Sequence, residues 1–174
     1  MRTIKLFIVL TVAFGTLTFS SCVKSKKEDT NVSYYVTADI DGKATSFNTN
    51  ATATVASVEG HPFTIITGTA KDGTNLSITL SGTAIVGKTY SDAAVKDEDK
   101  PLILFTPPGN DADSFLNNDD DAANLPSVTI TSISSGKITG TFKGRIEGGI
   151  ALGGSDDLPK KLITNGRFSL SYSK

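Results

Sequence analysis

The sequence predicts an all-β domain: an antiparallel β-sandwich of roughly eight to ten short strands, with a partly closed β-barrel as the alternative. Three observations carry this reading. Apolar and polar residues alternate with period two in many short runs, the pattern of a sheet with one face packed and one face wet. Threonine, valine, isoleucine and phenylalanine crowd those runs and suit a half-buried pleated surface. Between the runs stand pairs such as Asp41-Gly42 and Ser135-Gly136, which favour the φ > 0 conformations of tight turns.

The elements follow in order. A first strand near 33 to 40 alternates Tyr34, Val36, Ala38 and Ile40, which puts Tyr34 on the core side and Tyr35 outside. Asp41-Gly42 turns the chain into a run near 43 to 48, and further strands are expected near 51 to 58 and 63 to 70. After Asp72-Gly73 the run 75 to 81 sets Leu76, Ile78 and Leu80 against Ser77, Thr79 and Ser81. A short strand near 87 to 91, with Tyr90 facing outward, and another at 101 to 106 come next. Ser135-Gly136 joins 127 to 133 to the clearest run, 137 to 147. There Ile138, Gly140, Phe142, Gly144 and Ile146 share one face and Thr139, Thr141, Lys143, Arg145 and Glu147 the other. The last strand, 161 to 172, places Tyr172 in the core and holds Asn165-Gly166, suited to a bulge. Pro62, Pro101, Pro107, Pro108, Pro126 and Pro159 fall at the edges of these runs or between them, as residues that cannot donate to a ladder should.

Residues 107 to 127 lack strand pattern and are long for an unstructured connection. The expectation is a solvated acidic loop with one helical turn around Phe115 and Leu116. Its carboxylates Asp111, Asp113, Asp119 and Asp121 are the candidates for an irregular calcium site, since calcium takes oxygen ligands. The EF-hand template fails: counted from Asn117, Ala122 stands where glycine is needed and Val128 where glutamate is.

At the start of the chain, Arg2 and Lys5 precede an apolar run from Leu6 to about Phe19, then Ser20, Ser21 and the sole cysteine, Cys22. This is the layout of a secretory signal. At about 14 residues the run is short of the roughly 20 that span a bilayer. Phe19-Ser20-Ser21-Cys22 resembles the lipobox of bacterial lipoproteins, with Phe19 where leucine is usual, a variation that lipoproteins of the Bacteroidota tolerate. The resemblance implies a signal over 1 to 21, acylation of Cys22 as the new N-terminus, a flexible tether over 22 to 32 and a single domain over 33 to 174. Two or three acyl chains, at about 0.8 kcal/mol per buried methylene, would hold such a protein on a membrane. Lys24 to Asp29 is charged, as a solvated tether would be, and is similar to the export signal of Bacteroidota surface lipoproteins. That implies the outer membrane and an outward-facing domain.

The order of features beyond the tether resembles small Bacteroidota lipoproteins of unknown function. The shared pieces are an opening hairpin (Thr37 to Phe47), a central strand (Leu76 to Gly82), a Gly87 to Ser91 segment and a closing pair (Ile138 to Gly144, Ile163 to Leu170). These are turn and strand motifs; the resemblance implies fold and address, with no activity.

Composition excludes several chemistries. Loss of Arg2 and Lys5 takes the 17 basic residues to 15 against 18 acidic, so the processed chain is weakly acidic and offers no footprint for nucleic acid. With Cys22 lipidated no thiol remains for a disulfide or a thiolate site. His61, the one histidine, cannot form a multi-histidine metal centre, and no G-x-S-x-G elbow or phosphate-binding loop accompanies it. With no tryptophan and four tyrosines, aromatic sugar platforms are sparse. The expected function is a non-enzymatic, lipid-anchored binding or structural module of the envelope, with a protein or glycan partner and no cofactor beyond the lipid. A small-molecule or glycan binder is the first rival; a hydrolase built on His61 with a serine and a carboxylate is the second.

Overall fold

The computed structural model describes residues 34–94, 96–109, 114–117, 122–148 and 158–173. Eleven strands run in order: β1 Tyr35–Ile40, β2 Lys43–Ser46, β3 Thr49–Val58, β4 His61–Thr69, β5 Asn75–Ser81, β6 Thr89–Ser91, β7 Leu102–Thr106, β8 Phe115–Asn117, β9 Ser127–Ser134, β10 Lys137–Gly148 and β11 Lys160–Ser173. A single 3-10 turn, Asp97–Asp99, lies between β6 and β7. The strands belong to one compact unit, Val32–Lys174.

The strands form one mixed sheet whose two antiparallel stretches, β2-β1-β11-β10-β9-β6 and β3-β4-β5-β7, make the layers of the fold. Short ladders join them along both flanks. On one side β11 meets β3 in parallel through only Tyr172↔Ala53 and Ser173↔Thr54. On the other, β8 bridges β7 through Leu104↔Leu116 and Phe105↔Phe115, and β10 through Ile146↔Asn117 to Gly148↔Phe115. The pairings return on themselves in a ring, consistent with a sandwich or a partly closed barrel. Alternate residues of both layers fill one core, with Ile66, Ile78 and Ile103 on one side and Ile130, Ile138 and Ile163 on the other, none more than 1% exposed. Edge-on contacts of Phe47 with Phe105 (centroids 6.4 Å) and Phe105 with Phe115 (5.9 Å) close one end, a geometry aromatic rings favour.

Local chemistry fixes the register. Asp41-Gly42, Glu59-Gly60 and Ser135-Gly136 all have positive φ at both positions, as two-residue type I′ hairpins require. Within β11, Asn165 at φ 53 begins a bulge against both neighbours, between Phe142 and Gly144 of β10 and between Thr37 and Asp39 of β1. Its side-chain amide donates to Asp39 Oδ2 at 2.8 Å and pins that bulge to β1.

The structure differs from the sequence reading in its topology, in one strand and in two tyrosines. The sheet is mixed, because β11 continues past the end of β1's pairing and reaches β3 running the same way. There are eleven strands among the described residues, the extra one being β8, where a helical turn was expected. Three residues are too few to show a period, and cross-strand pairing with β7 and β10 decides their conformation. Tyr34 lies one residue outside β1 and is 45% exposed. Tyr90 is fully buried: β6 is an edge strand, and its central residue pairs with Val128 on the core-facing side of β9.

Candidate functional site

A groove of about 470 Å³ opens where the end of β5 meets the start of β4 and the 3-10 turn. His61 and Phe63 come from β4 and Ser81 from β5. These three share a face because residues two apart on a strand point the same way: His61 and Phe63 lead to Ile65 on β4, and Ser81 lies two beyond Thr79, the partner of Ile65. Thr83, Ile85 and Lys88 come from the loop after β5, and Glu98 and Asp99 from the 3-10 turn.

That loop is held from both layers. The Thr64 hydroxyl, fully buried on β4, donates to Gly82 O at 2.9 Å and accepts the Ala84 N–H at 2.8 Å. Gly82 N–H donates to Pro62 O at 2.8 Å. At the far end Gly87 N–H donates to Ile130 O at 2.8 Å and Lys88 O accepts the Ile130 N–H at 3.1 Å, on β9 of the other layer. The groove wall is thus pre-organised, which spares a ligand the entropy of ordering it.

Electrostatically the groove centres on Lys88. Its ammonium contacts Asp99 Oδ1 at 2.5 Å, with both side chains about 30% exposed, and lies 4.6 Å from the centre of the Tyr90 ring. The Asp99 carboxylate holds the Lys88 proton above the ordinary lysine range. Burial pushes the Tyr90 phenol up, partly opposed by the Lys88 charge. Its hydroxyl lies near the Ile85 backbone N–H but within hydrogen-bonding geometry of no described group. Both groups bind their protons more tightly when folded, so the stability they contribute is complete below their ordinary values of 10.5 and 10.0 and is lost as pH rises beyond them. Denaturant midpoints should therefore fall as pH rises above about 10, and Lys88→Met should flatten part of that fall. An unchanged alkaline slope in the variant would remove Lys88 from this account.

His61, Ser81 and two carboxylates do line one groove, the constellation a hydrolase would need. Among the described residues no hydrogen bond joins His61 to Ser81 or to either carboxylate, and Asp99 is committed to Lys88. His61, between the runs expected at 51 to 58 and 63 to 70, begins β4 after the Glu59-Gly60 turn. Lys88, Asp99 and the Thr64 anchor were not singled out by sequence, since their meeting depends on a loop strung between layers.

Cys22 and the calcium candidates Asp111, Asp113, Asp119 and Asp121 lie outside the described residues. Asn117, the first position of the failed EF-hand alignment, has its amide engaged within the fold: Oδ1 accepts the Ile103 N–H at 2.8 Å, and Nδ2 donates to Asp92 Oδ2 at 2.7 Å and Pro101 O at 3.0 Å. Among the described residues no three His, Cys, Asp or Glu side chains gather as a metal site, and no helix is long and apolar enough to cross a membrane. No protein-family model, curated protein or solved structure matches the chain.

Proposed function

We propose that this is a lipid-anchored protein of the bacterial outer membrane, facing outward, whose β domain is a non-enzymatic binding module. The observation that carries the reading is Cys22, set directly behind an apolar run too short to span a bilayer and followed by a charged tether. A thioether-linked diacylglycerol with a further acyl chain supplies the membrane affinity, leaving the sandwich free to bind. The groove beside His61 supports a binding role by offering a ligand the paired Lys88 and Asp99 together with the Ser81 and Thr83 hydroxyls.

Expressed in a lipoprotein-processing host, the parent chain should sediment with membranes and carry acyl mass on its N-terminal peptide, whereas Cys22→Ala should appear in the soluble fraction. Equal membrane partitioning of both would end the anchoring proposal. Turnover on ester, peptide or glycan panels that disappears with His61→Ala would replace the binding module with an enzyme.

A further inference from the structure

Charged residues make up 20% of the chain, yet β3, β4, β5, β7 and β8 contain no Asp, Glu, Lys or Arg. The opposite layer differs, with Lys143, Arg145 and Arg167 on the long strands β10 and β11. Thus one broad side of the sandwich has no fixed charge on its strands.

Register gives that side its texture. Thr54, Ile65, Thr79 and Leu102 lie side by side across β3, β4, β5 and β7, and Thr52, Thr67, Ser77 and Leu104 form the next row. Their neighbours Ala53, Ile66, Ile78 and Ile103 point into the core, so these residues form the outer face, with Leu102 46% exposed. In the first row hydroxyl and apolar side chains alternate at the strand spacing of about 4.8 Å, and in the second three hydroxyls lead to Leu104. On β4 and β5 the same face continues through Phe63 and Ser81 into the groove.

We propose that the groove and this uncharged face form one continuous binding surface for a neutral glycan chain. Charge complementarity selects the ligand class. A polyanion would meet a single groove cation, Lys88, already paired, together with the Glu98 and Asp99 carboxylates. Polycations would gain nothing from the strands. A neutral polyol fits both regions: the adjacent Lys88 ammonium and Asp99 carboxylate offer a donor and an acceptor to vicinal hydroxyls, while Ile65, Leu102 and Leu104 receive the C–H faces of the rings. A groove of this volume lies in the roughly 300 to 1,000 Å³ range of small-ligand sites, enough for the end of an oligosaccharide.

This inference rests on the binding-module reading but not on the anchor, and the test separates them. The full chain in detergent is titrated with neutral hexasaccharides of β-linked glucose, β-linked mannose and β-linked N-acetylglucosamine, with oligogalacturonate as the anionic comparator. The imidazole resonances of His61, the only histidine, report occupancy. At least one neutral hexasaccharide should give a saturable shift and oligogalacturonate none. Lys88→Met with Asp99→Ala, at the groove, and Leu102→Lys, on the exposed face, should each weaken binding about tenfold, equivalent to about 1.4 kcal/mol, with the folded baseline of each variant checked by its melting temperature. The inference is overturned if no neutral glycan saturates the shift, or if Leu102→Lys binds as the parent does. Concentration-dependent dimers abolished by Leu102→Lys would also overturn it, assigning the face to a second copy of the chain. Cys22→Ala protein that still binds the glycan leaves this surface standing whatever becomes of the anchor.

Discussion

Gly144→Ala should cost about 2 to 5 kcal/mol, a large share of the roughly 5 to 15 kcal/mol that holds a domain together. Gly144 has φ 144, a conformation that side-chain-bearing residues rarely adopt. An added Cβ would also stand 2.4 Å from Pro126 Cα and 2.8 Å from Pro126 N. These are backbone atoms, and the segment cannot retreat: Pro126 O accepts the Asp92 N–H at 3.0 Å, and the next residue, Ser127, pairs with both Lys143 and Ser91. Overpacking of a closed site adds about 1 to 3 kcal/mol or more to the backbone penalty of about 1 to 2 kcal/mol. Gly42→Ala is the control. Its φ of 79 is equally unsuited to alanine, but nothing lies within 4 Å of the new methyl. That variant should lose only about 1 kcal/mol, the backbone share alone. Denaturant unfolding of both measures the difference; equal losses would show that the close approach of β10 to Pro126 contributes nothing.

Gly144 also marks how much of the fold can be read from residues in order. Its place on the buried face of β10 follows from alternation with Ile138, Phe142 and Ile146, and the strand is as the pattern requires. The hairpins at Asp41-Gly42 and Ser135-Gly136 and the bulge at Asn165-Gly166 are equally local, since the residues that tolerate φ > 0 announce themselves. Glu59-Gly60 makes the same turn with a glutamate at φ 50, which composition does not signal. Where a side chain's neighbours are set by a distant strand, alternation is silent. Tyr90 faces the core because β9 lies beside it, β8 is a strand because β7 and β10 flank it, and β11 meets β3 through residues far apart in sequence. The groove belongs to this second kind. Its wall depends on Thr64 and Ile130, on opposite layers, gripping the two ends of one loop.

The seam through β8 should prove the weakest part of the ring, and Asn117→Ala should open it. One amide there satisfies three partners: the Ile103 N–H, Asp92 Oδ2 and Pro101 O. Through them the end of β8 is tied to the entrance of β7 and to the turn after β6. A neutral hydrogen bond is worth about 1 kcal/mol net and one to a charged group about 1.5 to 3. Removing the amide therefore costs about 3 kcal/mol, allowing for overlap within one network. Hydrogen exchange should accelerate first at Ile103 and along β8, ahead of global unfolding, since only short ladders hold β8 to β7 and β10. Asn117→Asp separates the acceptor from the donor. It keeps an oxygen for the Ile103 N–H but sets a second carboxylate against Asp92 and a lone pair against Pro101 O. Like charges at that distance raise the folded-state pKa of the carboxyl pair, so the folded protein holds protons that the unfolded chain releases. Stability relative to the parent should then be lowest at neutral pH and recover on acidification, reversing as pH rises through the raised folded value. If the Asn117→Asp deficit is the same at every pH, the Asp92 contact is not what makes this amide matter, and the seam is held by β8's backbone pairing alone.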